Sequence, residues 1–360
     1  MSRRLLEGSA AIAEAAITAG CRFFAGYPMT PFTELLEHFA DKLPQAGGVC
    51  INAESELEAI GMAWGALATG ARAATGSTGQ GLSLMQESLS EITRAELPLV
   101  YFNMARGQAD YYQSTRGGGH GDYRHIVFAP IDIHEAVELT QRAFDLADRW
   151  RNPVQIYGDY LLAHTCEAVT VSAPACEPLP PKDWAVDGSR GGTGRARNIN
   201  SLGMTPGQKG IDPEPFWNRL QAKHDAIARS EARFEAEGCD ANAEIVVVAF
   251  GSLARFARCV TRELRAAGLR VGSFRPITLW PFPSEALVQA IQGAGGVAVL
   301  EQNAGQMIDD VRLSVLGQAP VYAIGGISSD AAGFGLGPLL DTDVIRERIL
   351  SVLPRGQVPA

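Results

Sequence analysis

The six cysteines stand at positions 21, 50, 166, 176, 239 and 259, and no two of them form a Cys-x-x-Cys pair. That spacing offers neither a zinc site nor an iron–sulfur cluster within the chain, and reduced, mostly buried thiols are expected. Basic charge is also scarce. Lys and Arg total 31 against 40 Asp and Glu, a net charge of −9 with a pI near 5.3. This argues against nucleic acid or an anionic membrane as the main partner. No run approaches about 18 uninterrupted apolar residues, so no membrane span is expected. The Met-Ser-Arg-Arg start lacks the apolar run of a twin-arginine signal because Glu7 and Glu14 interrupt it, and a cytoplasmic location is expected. Gly-x-Ser-x-Gly elbows, Walker loops and His-Glu-x-x-His helices are missing too.

What the chain does have is 46% hydrophobic and 20% charged residues over 360 positions, enough for two domains with a core each. The first half alternates apolar strands with helical patterns. Helical spacing over residues 10–19 ends at Gly20, and Phe23-Phe24-Ala25 follows as a strand. Further helices are expected over 31–43, 55–69, 82–96 and 134–150, with strands over 49–51, 71–75, 97–104, 125–129 and 153–157. This order predicts an α/β fold built on a doubly wound parallel sheet. Residues 167–240 break the rhythm: four prolines fall within 173–182, residues 187–210 are rich in Gly, Ser, Arg and Asn, and 216–236 reads as a charged helix. A packed connector is expected there, since the stretch keeps Trp184 and Trp217. A second α/β unit follows, with an apolar strand over 245–250, a helix over 255–267 and strands over 270–274, 296–300 and 321–324. The expected division is 1–178, a connector over 179–240, and 241–360.

Several residues could do chemistry. Tyr27 and Thr30 each precede a proline, which favours extended backbone and holds the turn at the carboxyl edge of a sheet. Taken alone, Tyr27-Pro28-Met29-Thr30-Pro31 equally fits a loop that starts a helix at Pro31. Of the three carboxylates that open the 55–69 helix, Glu54 and Glu58 suit the helix dipole. Glu56 shares a face with Ile60, Ala63 and Leu67, so it is expected to be desolvated and suited to sharing a proton. In Thr75-Gly-Ser-Thr-Gly-Gln-Gly81, a strand–loop–helix element, Gly79 and Gly81 allow close backbone approach to a ligand. A dinucleotide site would want an acidic residue where Met104-Ala105-Arg106 stands, which disfavours a Rossmann cofactor. Arg106, at its strand's carboxyl end, could hold a carboxylate through two parallel hydrogen bonds or form a surface ion pair. In the Gly-rich loop 117–122, His120 could donate to a substrate or be an ordinary loop histidine, with Asp122 beside it.

In order along the chain stand Gly26-Tyr-Pro-Met-Thr-Pro31, Glu54-Ser-Glu56, the Gly79/Gly81 loop running into Leu84-Met-Gln-Glu87, Leu97-Pro98 and Arg106. This set resembles the α subunit of the 2-oxoacid:ferredoxin oxidoreductases, a thiamine diphosphate family. Gly118-Gly-His-Gly-Asp-Tyr123 looks closest to members acting on branched-chain 2-oxo acids or 2-oxoglutarate. Arg275-Pro-Ile-Thr-Leu-Trp-Pro-Phe-Pro283 and Leu300-Glu-Gln-Asn303 look like the family's second, transketolase-C-like domain.

The resemblance implies a pyrimidine-binding first domain in which Glu56 hydrogen-bonds the aminopyrimidine ring of thiamine diphosphate. Tyr27, Pro28, Gly79 and Gly81 would also line the cofactor, Thr30 would face the substrate and Arg106 would bind its carboxylate. It implies CoA-dependent oxidative decarboxylation of a 2-oxo acid, with electrons passed to ferredoxin. Gly158-Asp159-Tyr160 is not the family's Gly-Asp-Gly diphosphate motif, so Mg²⁺ and [4Fe–4S] clusters are implied for a β subunit, with a γ subunit completing the assembly. Arg106-Gly107 joins Gln108-Ala-Asp-Tyr111 without the longer Gly/Pro-rich loop usual in the family, which implies a wider or partner-completed pocket accepting a bulky substrate. The rival readings are a β-type E1 subunit of a lipoamide-linked dehydrogenase, a non-oxidative thiamine-dependent decarboxylase, and a scaffold that kept the fold and lost the site.

Overall fold

The computed structural model describes residues 3–174, 178–186, 213–240, 243–326 and 341–353. Seven strands form the larger sheet, in the order Thr278–Trp280, Ile126–Phe128, Val154–Asp159, Val100–Ala105, Ala73–Ser77, Phe23–Gly26 and Val49–Asn52. The six from the first half run parallel. Their inner members are apolar on both faces because helices cover both. Gly8–Thr18, Thr33–Lys42 and Ile133–Trp150 bury Ile12, Leu35, Phe39 and Phe144 on one side. Glu56–Ala68 and Gly79–Arg94 bury Ile60, Leu67, Met85 and Leu89 on the other, where Trp184 from the connector also packs. The expected doubly wound α/β fold is the observed one.

A second sheet of five strands has the order Val321–Ala323, Val297–Val299, Ile245–Val248, Val271–Pro276 and Phe234–Glu237. The last pairs antiparallel and the others parallel. Helices Gly251–Ala266 and Thr342–Ser351 cover one face. Ser284–Ala290 and Met307–Val315 cover the other, together with Tyr111, Val127 and Tyr157 of the first half.

Three regions depart from the sequence expectation. The helix expected over 216–236 runs instead from Pro213 to Ser230, and the chain then turns into the strand Phe234–Glu237. That strand places Glu235 and Glu237 where Arg275 and Arg262 bond them, a non-local gain that helical periodicity does not report. Thr278–Trp280 joins the first sheet antiparallel to Ile126–Phe128, although it lies among second-half residues. Arg4–Glu7 and Cys166–Val169 form an antiparallel pair of four residues each, too short to read from alternation. The Gly/Ser/Arg-rich stretch 187–210 lies outside the described residues.

His125 opens the strand Ile126–Phe128 and is buried between Thr93 Oγ1 (2.8 Å) and Tyr101 Oη (2.7 Å). Burial, with the nearby His224 and Arg124, holds its pKa down at about 3, and His224 is held at about 4 by burial and its cationic neighbours Lys223 and Arg124. Both histidines fold neutral, so their contribution is complete above the unfolded value near 6.5. It is lost as pH falls from there toward 4 and 3, because only the unfolded chain gains the protons. Each adds a slope of at most about 1.4 kcal/mol per pH unit in that window. Urea unfolding of His125→Gln between pH 7.5 and 5 is expected to show a shallower loss of stability than the parent. An unchanged pH dependence would remove His125 from this account.

Candidate functional site

The strands Phe23–Gly26, Ala73–Ser77 and Val100–Ala105 are neighbours and end at the same carboxyl edge, so the residues after them converge. Ser55 caps the helix Glu56–Ala68 by accepting from the Glu58 N–H at 3.4 Å, and Glu58 reaches back to the Glu54 N–H at 3.0 Å. This reciprocal capping gives Glu58 a structural task at the helix start. Glu56 takes no part in it. Its side chain turns inward and the residue is 3% exposed. Ser77 Oγ donates to Glu56 Oε1 at 3.0 Å, and no other hydrogen bond from the described residues reaches this carboxylate.

Gly81 explains how the carboxylate fits. A Cβ there would lie 2.2 Å from Glu56 Oε1 and 2.0 Å from Ser77 Oγ, so any side chain would expel one of them. Gly79 has a parallel role, because its Cβ would lie 2.2 and 2.4 Å from the two carboxylate oxygens of Asp110. Both glycines therefore admit carboxylates of the protein itself at the start of the helix Gly79–Arg94. The sequence carries no signal for Asp110 itself beyond its place in Gln108-Ala-Asp-Tyr111. Asn103 Nδ2 donates to Asp110 Oδ2 at 3.3 Å, and burial pushes the Asp110 carboxyl above the usual aspartate range.

Thr30 and Arg106, each placed at a strand's carboxyl end, meet through the backbone: Arg106 Nε donates to the Thr30 carbonyl at 3.2 Å. The helix expected from Pro31 begins at Thr33, and Phe32 N–H closes the turn on the Met29 carbonyl at 2.7 Å. Tyr27, Pro28 and Thr30 are exposed at the rim, while Met29 Sδ receives the Thr78 hydroxyl at 2.8 Å.

His120 and Asp122 are not brought to this group. Their exposed loop packs along the far end of the helix Gly79–Arg94, with Gly118 N–H donating to Gln86 Oε1 at 2.8 Å. His120 Nε2 lies 2.7 Å from Arg94 Nη2 and 3.4 Å from Glu91 Oε1. Arg94 lies thirteen positions beyond Gly81 on the helix, about 20 Å along the axis.

The segment after Arg106 ties the site to the second half. Gln108 Nε2 donates to the Phe250 carbonyl, its Oε1 accepts from Gln302 N–H, and its own carbonyl accepts from Asn303 Nδ2, each at 2.9 Å. Tyr111 Oη donates to Asp310 Oδ2 at 2.6 Å, and Arg116 reaches the same carboxylate at 2.7 Å. Asp159 of Gly158-Asp-Tyr160 caps its own short helix by accepting from Leu162 N–H at 2.8 Å, and accepts from Ser252 Oγ at 2.9 Å. Among the described residues, no group of three or more His, Cys, Asp or Glu side chains could hold a metal ion.

Two family models match the chain. Residues 14–185 match the thiamine diphosphate-binding domain of pyruvate flavodoxin/ferredoxin oxidoreductase, and residues 243–332 match pyruvate:ferredoxin oxidoreductase core domain II. The ketoisovalerate oxidoreductase subunit VorB of Methanothermobacter marburgensis is 39% identical over 324 residues, covering 87% of this chain and 90% of the relative. The 2-oxoglutarate synthase subunit KorA of Methanothermobacter thermautotrophicus is 34% identical over 356 residues, covering 90% and 94%. The solved 2-oxoglutarate:ferredoxin oxidoreductase from Magnetococcus marinus, with 2-oxoglutarate, coenzyme A and succinyl-CoA bound, superposes with a TM-score of 0.80 at 25% identity. It covers 97% of this chain, which spans 65% of that longer chain. A split-gene transketolase shares the fold at a TM-score of 0.58 and 16% identity, covering 96% of this chain and 97% of its own.

The packing makes opposite predictions for two glycines. Gly81→Ala is expected to cost about 1–3 kcal/mol by overpacking against Glu56 and Ser77. Gly61→Ala, with open space around its Cβ on the exposed face of Glu56–Ala68, is expected to stabilise the isolated chain by about 0.5–1 kcal/mol. Denaturant melts of both variants check the pair; equal effects would contradict the contact geometry.

Proposed function

The chain belongs to the family of α-type subunits of 2-oxoacid:ferredoxin oxidoreductases, and on that basis we propose that Glu56 holds the aminopyrimidine end of thiamine diphosphate. The reaction is oxidative decarboxylation: a 2-oxo acid, coenzyme A and two oxidised ferredoxins give acyl-CoA, CO2, two reduced ferredoxins and a proton. The observation that carries the reading is the Glu56 carboxylate, nearly dry and with Ser77 as its one hydrogen-bond donor among the described residues. A buried carboxylate with spare acceptor capacity favours a ring N–H donor that arrives with the cofactor. When bound, thiamine diphosphate supplies the electron sink for loss of CO2. Tyr27 and Pro28 form a wall of the cofactor cleft, with the Gly79 and Gly81 backbone at its floor. Thr30 faces the substrate. Arg106 receives the substrate carboxylate, where its planar fork can give two parallel hydrogen bonds.

In this reading the diphosphate end, its Mg²⁺ and the [4Fe–4S] clusters belong to a β subunit, with a γ subunit in the assembly and ferredoxin as electron acceptor. Asp159 supports it, being engaged as a helix cap and Ser252 acceptor rather than presented to a ligand. So do Tyr27, Leu57, Met62 and Leu84, large apolar side chains exposed on the turn and the two helices that carry the site. Partner burial would remove that surface from water. The location proposed for the assembly is the cytoplasm; among the described residues, no helix is long and apolar enough to cross a membrane.

The direct junction of Arg106-Gly107 with Gln108 leaves out a loop that would wall the substrate side. The relatives named for ketoisovalerate and 2-oxoglutarate are also more similar to this chain than those named for pyruvate. The proposed substrate is therefore a 2-oxo acid bulkier than pyruvate, with a branched chain.

Glu56→Gln keeps the shape of the side chain and removes its charge. In the reconstituted assembly, 2-oxo acid-dependent ferredoxin reduction is expected to fall by about 100-fold or more. Unchanged turnover would favour the scaffold reading. With the parent assembly, kcat/KM for 2-oxoisovalerate is expected to exceed that for pyruvate by about 10-fold or more, the worth of added methyl groups in an apolar pocket. Activity confined to pyruvate would refute the wide pocket, and reduction of a lipoyl domain in place of ferredoxin would favour the E1-type rival.

A further inference from the structure

Ser77 ends the strand Ala73–Ser77, where its backbone pairs with Asn103, and Gly76 before it pairs with Gly26. The residue is fully buried and takes the strand face shared with Ala73, beneath the helices Glu56–Ala68 and Gly79–Arg94. Three hydroxyls lie along Thr75–Thr78, and they serve different acceptors. Thr75 Oγ1 donates to the Ala25 carbonyl at 2.7 Å, and Thr78 Oγ1 sits between Met29 Sδ at 2.8 Å and Gln80 Oε1 at 3.2 Å. Ser77 Oγ alone of the three turns to a charged group, Glu56 Oε1, at 3.0 Å. Its strand is paired on both sides, so this donor stands on fixed backbone.

The last torsion of a glutamate is soft and roughly two-fold, so the side chain does not itself decide which oxygen points where. Two contacts decide it for Glu56. Ser77 ties Oε1 back toward the sheet. Gly81 leaves a slot for the same oxygen, since a Cβ there would stand 2.2 Å from Oε1 and 2.0 Å from the Ser77 hydroxyl oxygen. Oε2 accepts no hydrogen bond from the described residues and is the oxygen left for a ligand. The carboxylate is thus divided, one oxygen held by the protein and one kept for the aminopyrimidine ring. A hydroxyl-to-carboxylate bond in a dry site is strong enough to hold that division. Without it Oε1 and Oε2 become interchangeable, and a ring contact that needs placement within about 0.5 Å is shared between two orientations.

We propose that Ser77 is a positioning residue for the reaction: its hydroxyl holds Glu56 Oε1 so that Oε2 alone meets the aminopyrimidine ring nitrogen. The inference rests on Glu56 as the cofactor-binding carboxylate of the proposed function and adds the group that orients it. Ser77 acts through Glu56, not through the carboxylate site at Arg106. Its loss therefore weakens cofactor recognition and kcat and leaves KM for the 2-oxo acid in place.

The test uses the complete assembly with its partner subunits. Titration calorimetry without substrate compares thiamine diphosphate with the analogue in which C–H replaces the ring nitrogen facing Glu56. The parent is expected to prefer the cofactor by about 30-fold or more and Ser77→Ala by about fivefold or less, with affinity for the analogue unchanged within about twofold. On a Glu56→Gln background, Ser77→Ala is expected to cause no further loss, because the two residues act as one unit. In turnover, Ser77→Ala is expected to lower kcat by about 10-fold or more, with KM for 2-oxoisovalerate within about threefold. Ser77→Cys, which keeps a weak donor, is expected to recover part of the loss. An undiminished preference for the cofactor in Ser77→Ala, or losses that add on the Glu56→Gln background, overturns the proposal. A crystal structure of the parent with thiamine diphosphate needs no variant to fold: Ser77 bonded to the oxygen that meets the ring, or to neither oxygen, overturns it as well. A parent that binds cofactor and analogue alike refutes the Glu56 reading instead, so the two failures are distinguishable.

Discussion

A carboxylate can be kept nearly dry at a helix start only where its neighbours leave space for it and give it a donor. Glu56 meets both conditions at once, because Gly81 yields the volume and Ser77 yields the proton donor. The two come from one strand–loop–helix element, four residues apart, so the placement of Glu56 depends on how that element seats against the helix Glu56–Ala68. The central parallel strands fix that seating. Their buried faces hold the sheet in register, and the register brings Ser77, Asn103 and Gly26 to one edge. Packing far from the site therefore controls the geometry within it.

The same edge is held from the opposite side by Gln108. Its side chain and carbonyl spend three hydrogen bonds on the second half of the chain, and Tyr111 and Arg116 add two on Asp310. Glu301 prepares the receiving surface by accepting the N–H groups of Gln306, Met307 and Ile308 at the start of their helix. Arg106 lies two residues before Gln108. A segment pinned this way loses little further freedom when a ligand arrives, which is the physical content of preorganisation.

Much of this is legible in the sequence. The parallel order followed from alternating strand and helix patterns, and the inward turn of Glu56 followed from its apolar face with Ile60, Ala63 and Leu67. The carboxyl-edge positions of Thr30 and Arg106 were readable from their strands, but their contact, from Arg106 Nε to the Thr30 carbonyl, was not. What the residues could not convey was non-local. That Gly79 and Gly81 also make room for Asp110 and Glu56 is not readable, because these partners lie 31 and 25 positions away. The residues leave His120 open between a substrate donor and an ordinary loop histidine, and only the packing of its loop sets it beside Arg94. The strand Phe234–Glu237 forms by pairing with Val271–Pro276, which helical spacing within 216–236 cannot anticipate.

Thr278–Trp280 gives the architecture one more property. By pairing with Ile126–Phe128 it covers that strand and takes over one edge of the larger sheet with residues that belong, in sequence, to the other half. An unsealed rim would offer its backbone N–H and C=O groups to any extended chain nearby. The first half made alone would carry such a sticky border, and the second half alone would carry the matching strand without a place to put it. The two units are thus stitched at the level of the backbone, and the chain has to be synthesised through residue 280 before its first sheet is finished.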